Sequence, residues 1–246
     1  MAYLHRNIFR IAVPLMVALG VSGCASGPDD DPLETTNRAV HSVNVGLDRA
    51  VLRPGSQIYG ATLPQVARSG VNNFSQNMSV PGTILNDVLQ LSVEDALHNT
   101  TRFLVNSTLG LAGLFDVASA VGVPPRPSDF GETLHVWGFG EGAYIELPVL
   151  GPSTTRDTIG FVVDTAMNPV ARVATVPQMN VILGAKVGQT LDQRYSFGNT
   201  LDSILYESAD SYTQSRLLFL QNRRFNLGQS ADAEDDLYDL YEETFE

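Results

Sequence analysis

Apolar residues between 33 and 225 recur every three or four positions, and that period limits the chain to a fold built mainly from helices. Over 33–53, Val40, Val43, Leu47 and Val51 share one helical face, while Asn37, Arg38, His41, Asn44 and Asp48 occupy the other parts of the surface. Pro81 suits the first position of a helix running to about Leu89. Ser92 with Asp95 three residues on has the spacing of a capping box, and Val93, Ala96, Leu97, Thr100, Phe103 and Leu104 follow at helical spacing. Thr154 or Thr155 can cap a helix through Ile159, Phe161, Val162 and Val163. That helix stops at Asn168-Pro169, since proline cannot extend it. Two more helices are predicted at about 178–206 and 209–225, with Arg223 and Arg224 near the negative end of the last. Only "AYIELPVL", 143–150, alternates, and one extended stretch cannot make a sheet. At 246 residues and 43% hydrophobic content, the chain suits one sizeable domain.

The N-terminus reads differently. Arg6 and Arg10 make a basic start, and 11–19 is an apolar run too short to span a bilayer as a helix, which needs about 20 residues. Val21, Ser22, Gly23 and Cys24 then resemble a bacterial lipobox, and Cys24 is the only cysteine. The alternative fate of a lone thiol is burial. In the lipobox resemblance, residues 1–23 are a signal peptide cut before Cys24, whose thiol and new amine carry acyl chains. Each buried methylene contributes about 0.8 kcal/mol, so several chains anchor a protein firmly. Ala25 after the cysteine resembles lipoproteins sorted to the outer membrane. The expected place is that membrane's periplasmic face, lipid-anchored. Residues 24–32 read as a tether, 33–228 as the helical domain and 229–246 as an acidic tail.

The net charge of −12 is uneven, because 232–246 holds eight acids and no base. Acidity argues against nucleic acid as a partner. The stretch 103–123 is the most apolar internal region, but Asn106, Ser107, Asp116 and Ser119 interrupt it. It suits a helix lying in an interface, or an ordinary core helix pair.

No constellation for chemistry emerges. Gly138, Gly140 and Gly142 form "GFGEG", but a dinucleotide loop needs a preceding strand and a following helix. A glycine-rich hairpin is the better reading. His41, His98 and His135 have no metal-ligand spacing, and neither HExxH nor GxSxG occurs. His98 is expected on the polar face of its helix near Arg102. His135 is expected to pair with Trp137. The residues describe a helical, lipid-anchored protein that is not an enzyme and holds no metal or cofactor.

Four stretches carry a resemblance: "DPLETTNRAV" at 31–40, "RSGVNNFSQNMSVPGTILNDVLQ" at 68–90, "TRFLVNSTLGLAGLFDVAS" at 101–119 and "DFGETLHVWGFGEGAYIELPVLGPSTTRD" at 129–157. In this order they resemble the MlaA (VacJ) family of outer-membrane lipoproteins. The resemblance implies a ring-like assembly of amphipathic helices in the membrane's inner leaflet, with a glycine-rich hairpin. It implies removal of mislocalised phospholipid from the outer leaflet through an amphipathic channel. It further implies association with a trimeric porin and transfer of lipid to a soluble periplasmic carrier. Asn37, Arg38 and Asn44 match the opening helix and its turn, where "SVNV" at 42–45 replaces a common aromatic. Gly138, Gly140, Gly142 and Tyr144 match the hairpin near the channel, with Ala143 where proline is frequent. Arg156 and Asp157 end the last motif and suggest a structural ion pair at a helix start. Two other readings compete: a porin-associated scaffold without lipid passage, and an envelope hydrolase, against which the missing motifs count.

Overall fold

The computed structural model describes residues 31–228. The signal segment, Cys24, most of the tether and the acidic tail lie outside the described residues. The body is mainly helical, as the apolar period requires. Helix α1 (Glu34–Leu47) runs through a π-helical turn (Asp48–Leu52) into α2 (Arg53–Thr62). Then come α3 (Gln65–Leu89), α4 (Val93–Thr108), the short α5 (Val117–Ala120) and α6 (Phe130–Val136). After a two-stranded hairpin, the chain completes α7 (Thr155–Met167), α8 (Pro169–Val173), α9 (Val176–Ser196), α10 (Gly198–Asp202), a second π-helical turn (Ser203–Glu207) and α11 (Ser211–Asn226). The long α3 packs against α4, α6, α8 and α9. No described helix is long and apolar enough to cross a membrane.

Several boundaries follow from local chemistry. Asp129 accepts from the Glu132 amide at 2.9 Å and starts α6. Thr154 accepts from the Asp157 amide at 3.1 Å and starts α7. Asn168 accepts from the Val170 amide at 2.9 Å as Pro169 ends one helix and opens the next.

Other expectations need correction. Pro81 does not begin a helix. It lies inside α3, where the surrounding packing outweighs the lost hydrogen bond of its missing N–H. No turn occurs at Asn44: residues 42–45 are helical, and the irregularity comes later, as the π-helical turn from Asp48. Ser92 does not form a reciprocal cap. Its hydroxyl donates to the Asp95 carboxylate at 2.6 Å instead. The predicted helix over 178–206 breaks at Phe197.

The alternating stretch does find a partner. β1 (Tyr144–Leu147) pairs antiparallel with β2 (Gly151–Thr154), in the register Tyr144 to Thr154 and Leu147 to Gly151. The sequence hid β2 because "GPST" neither alternates nor carries apolar residues. Proline is tolerated there because the pair has free edges. The glycines are not the hairpin turn. Gly138, Gly140 and Gly142 form the loop entering β1, and the turn itself holds Val149 at φ 69°.

Burial is inverted relative to a water-soluble domain. Among the described residues, 18 polar or charged residues are buried against six apolar ones, while 33 large apolar residues are exposed. A buried polar group is costly unless it is hydrogen-bonded, so this interior is a bonded network rather than an oil drop. Asn37, His41 and Asp48, expected on the surface of the first helix, are buried. Val43 and Val51, on the apolar face of that helix, are exposed. The small apolar cluster is Tyr144, Tyr212 and Leu220, with Phe219 against it.

Candidate functional site

The opening helix grips the hairpin through its polar stripe. Asn37 donates from Nδ2 to the Tyr144 carbonyl and accepts from the Glu146 amide through Oδ1, both at 3.0 Å. Two turns on, Asn44 donates to the Leu147 carbonyl at 3.0 Å and accepts from the Val149 amide at 2.8 Å. The Asn37 carboxamide thus bonds the open edge of β1 as a neighbouring strand does, and that of Asn44 ties down the strand's end and the turn. Glu146 is buried at the centre, bonded by Asn44, His41 and the Tyr144 hydroxyl. Burial alone would raise its carboxyl's pKa, but those three partners hold it below the usual range. Burial and the same glutamate push the Tyr144 hydroxyl up. Arg38 faces outward instead. It bonds Asp210 at 3.0 and 2.8 Å and Glu34 at 2.7 Å, and these partners raise its pKa.

The entry loop rests on α7. Gly142 has φ +73°, and a Cβ there would sit 2.8 Å from the Thr155 Cβ. Gly138 also has a positive φ, and Gly140 has open space around it. Arg156 lies beneath the loop, buried, with Nη1 3.5 Å from the Phe139 carbonyl. The expected pair of Arg156 with Asp157 stands at 3.7 Å, but Asp157 is bonded by Arg223 at 3.1 and 2.9 Å. Trp137 meets Phe130 edge-on at 5.7 Å and donates to the Leu89 carbonyl, rather than pairing with His135. Burial and the nearby Arg156 and Arg223 lower the His135 pKa. His98 bonds the Pro124 carbonyl at 2.7 Å.

A separate polar cavity of about 240 Å³ opens between α3, α4 and α9. Asn73 and Asn77 on α3, Asn99, Arg102 and Asn106 on α4, and Gln189 on α9 line it. Arg102 is tied to Ser119 at 3.0 Å, to the Val123 carbonyl, and to Asp116 at 3.2 and 3.3 Å. Burial would raise the Asp116 pKa, but Ser119, Asn106 and Arg102 hold it below the usual range. Asn106 accepts from the Ala118 amide at 2.9 Å. Asn99 donates to the buried Asp87, whose pKa burial raises.

One apolar depression adjoins it, and a second adjoins the first. One of about 440 Å³ shares Asn73 with the polar cavity and is walled by Val66, Gly70, Leu114 and Phe115. The other, about 410 Å³, shares Leu114 and adds Leu63, Phe74, Leu111 and Val181. A polar cavity and two apolar depressions therefore follow one another beside α3, with Asn73 shared by the first two and Leu114 by the last two. Such a surface matches a molecule with a polar end and hydrocarbon tails.

None of Asn37, Arg38, Asn44, Gly138, Gly140, Gly142 and Tyr144 lines that chamber. The structure gathers Asn37, Asn44 and Tyr144 at the hairpin and leaves Arg38 at the helix surface. The chamber's residues carried one legible signal. Asn73 with Asn77, and Asn99, Arg102 and Asn106, recur at three- and four-residue spacing, a polar stripe on each helix.

Comparisons with known proteins agree with this architecture. The family model described as MlaA lipoprotein matches residues 29–226. The intermembrane phospholipid transport system lipoprotein MlaA of Escherichia coli strain K12 is 34% identical over 224 residues, covering 85% of this chain and 86% of that one. The protein of the same name from Haemophilus influenzae is 30% identical over 242 residues, covering 93% and 95%. A solved structure described as the structural basis for maintenance of bacterial outer membrane lipid asymmetry superposes with a TM-score of 0.68 at 30% identity. It covers 80% of this chain and 99% of that chain. With matched helices, matched motifs and a family model spanning nearly all the described residues, the chain belongs to the MlaA lipoprotein family.

Proposed function

We propose that this protein moves phospholipid at the bacterial outer membrane, taking stray lipid from the outer leaflet and delivering it to a periplasmic carrier. The carrying observation is a polar chamber with apolar depressions next to it along α3, in a body that exposes many large apolar side chains. Water is the wrong solvent for that exterior, and a leaflet of lipid is the right one. The helical body lies in the inner leaflet as a ring-like assembly, and Cys24 carries the covalent lipid. A trimeric porin holds it in place. The reading is supported by relatives named as lipoproteins of an intermembrane phospholipid transport system.

The chemistry required is modest. Exposing lipid tails costs about 0.8 kcal/mol per methylene, so passage needs shielding and a polar path for the head, not a covalent step. A passive route has no direction of its own, so an energy source elsewhere sets the flow.

The test is mass spectrometry of lipids that copurify with the protein in mild detergent, beside a control lipoprotein of similar size. Phospholipid enriched over the control is the expected outcome. Porin recovered with no such enrichment would replace this reading with that of a porin-associated scaffold.

A further inference from the structure

The two π-helical turns meet at a further apolar depression, of about 320 Å³, which shares no residue with the chamber or its neighbours. Val45 and Leu52 wall it on one side, Ile204 and Leu205 on another, and Val149 of the hairpin and Leu218 of α11 complete it. π-Helical turns are rare and occur mostly at functional sites. Here the Tyr206 hydroxyl on the second turn donates to Asp48 on the first at 2.5 Å and joins them.

The titratable groups that line the depression are already matched. His41 bonds Glu146 at 3.4 Å and Ser211 at 3.1 Å, and Glu146 also accepts from Asn44 at 3.0 Å. Asp48 accepts from Arg194 at 2.8 and 2.9 Å. The interior therefore offers a ligand hydrocarbon contact and little else.

The rim differs. Arg49 follows Asp48 and lies on the helical stripe of Val45 and Leu52, both of which line the depression. It is exposed, and among the described residues its guanidinium makes no ion pair and no hydrogen bond. It stands 4.7 Å from the centroid of the Tyr206 ring, over which Arg53 also lies, at 5.3 Å. Arg53 and Arg194 donate to Asp202 at 2.5 and 2.6 Å, so their charge is compensated. Glu207, exposed beyond Tyr206, pairs with none of the three arginines. Of these three, Arg49 presents an open fork of N–H donors, a geometry that suits phosphate.

We propose that this depression is a second lipid site, which takes one acyl chain of a glycerophospholipid against its leucines and the lipid's phosphate on Arg49. Charge and shape name the occupant: hydrocarbon inside, one unpaired cation at the edge. The inference rests on the lipid surroundings proposed above and adds a site apart from the chamber. A chain seated there touches α1, the hairpin turn and α11 at once, and so braces the grip of Asn44 on the hairpin.

The test uses the full protein extracted in mild detergent and titrated with phosphatidylglycerol, whose head carries no cation to compete for its phosphate. Bound lipid is counted by native mass spectrometry, beside diacylglycerol of the same acyl chains, which has no phosphate. Arg49→Gln is expected to weaken one phosphatidylglycerol adduct at least about tenfold, the ratio that a charge-assisted hydrogen bond contributes, and to leave diacylglycerol unchanged. Arg49 is exposed, so this variant leaves the packing intact. Leu205→Glu, which sets a charge against the acyl chain, is expected to weaken both lipids. Phosphatidylglycerol binding that Arg49→Gln leaves unchanged would overturn the proposal. Equal losses of both lipids in Arg49→Gln would overturn it too, since the substitution would then only loosen the depression. The rival occupant is the acidic tail, with Leu237, Leu240 and eight acids in the segment that follows α11. An Arg49-dependent adduct that forms only after residues 229–246 are removed would assign the depression to the tail and overturn the proposal. No adduct of either lipid above a control lipoprotein would sink this site and the lipid-moving function together, whereas an adduct blind to Arg49 sinks this site alone.

Discussion

Two carboxamides on one helix take the place of a third strand. A hairpin of two short strands is marginal alone, because each outer edge leaves backbone groups to solvent. Asn37 satisfies the outer edge of β1 with two hydrogen bonds, and Asn44 holds the Leu147 carbonyl and the turn amide of Val149 with two more. Asn37→Asp sets a carboxylate against the Tyr144 carbonyl and beside Asp31, where an amide now donates to both. We expect a loss of about 2–4 kcal/mol, measured by denaturant unfolding in micelles. Glu146 adds a pH dependence of definite sign. Its folded pKa lies below the unfolded value of about 4.3. Its contribution is therefore complete above that pH and drains away as pH falls further, through the folded pKa. Glu146→Gln cannot titrate, so its stability should change less than the wild type's between pH 6 and about 3. Equal changes in both proteins would assign the acid lability to other carboxylates.

At the scale of elements, α6 and α7 cross at a point where neither tolerates a side chain. A Cβ on Gly160 would lie 2.4 Å from the Gly131 nitrogen. Arg223 from α11 locks the crossing by bonding Asp129 and Asp157, the acids at the starts of both helices. Gly160→Ala must push the helices apart, and a loss of about 1–3 kcal/mol is expected. Gly140→Ala is the matched control. It has open space and no positive φ, so a change within about 0.5 kcal/mol is expected. Thermal melts of the two variants in the same detergent decide this. Capping made some of these elements legible in advance. Thr154 and Asn168-Pro169 mark real boundaries because their chemistry is local. Pro81 misled because the packing of α3 against four other helices outweighs one missing bond, and packing is not local. β2 was invisible because its stability comes from pairing with β1 and from nothing in its own composition.

At the scale of the molecule, the helical period was legible but its polarity was not. Val40, Val43, Leu47 and Val51 share a face as their spacing requires, but spacing alone does not say whether that face turns in or out. In the structure Val43 and Val51 are exposed, Val40 and Leu47 half-buried, and Asn37, His41 and Asp48 buried, an order that suits lipid as solvent. The chamber was missed because amides at helical spacing do not by themselves say whether they face water or a cavity. This inversion makes a last prediction. Val43 and Val187 are 66% and 60% exposed and line none of the described cavities. In water, Val43→Glu with Val187→Glu would change stability little. In a leaflet, each buried charge costs up to about 3 kcal/mol. With Cys24→Ser removing the covalent lipid proposed at that position, the body alone reports its affinity for vesicles. The doubly charged form should partition at least tenfold less than its parent, for about 1.4 kcal/mol or more, while melting alike in micelles. Equal partitioning would place those two faces in water and shift the hold on the membrane to the covalent lipid proposed at Cys24.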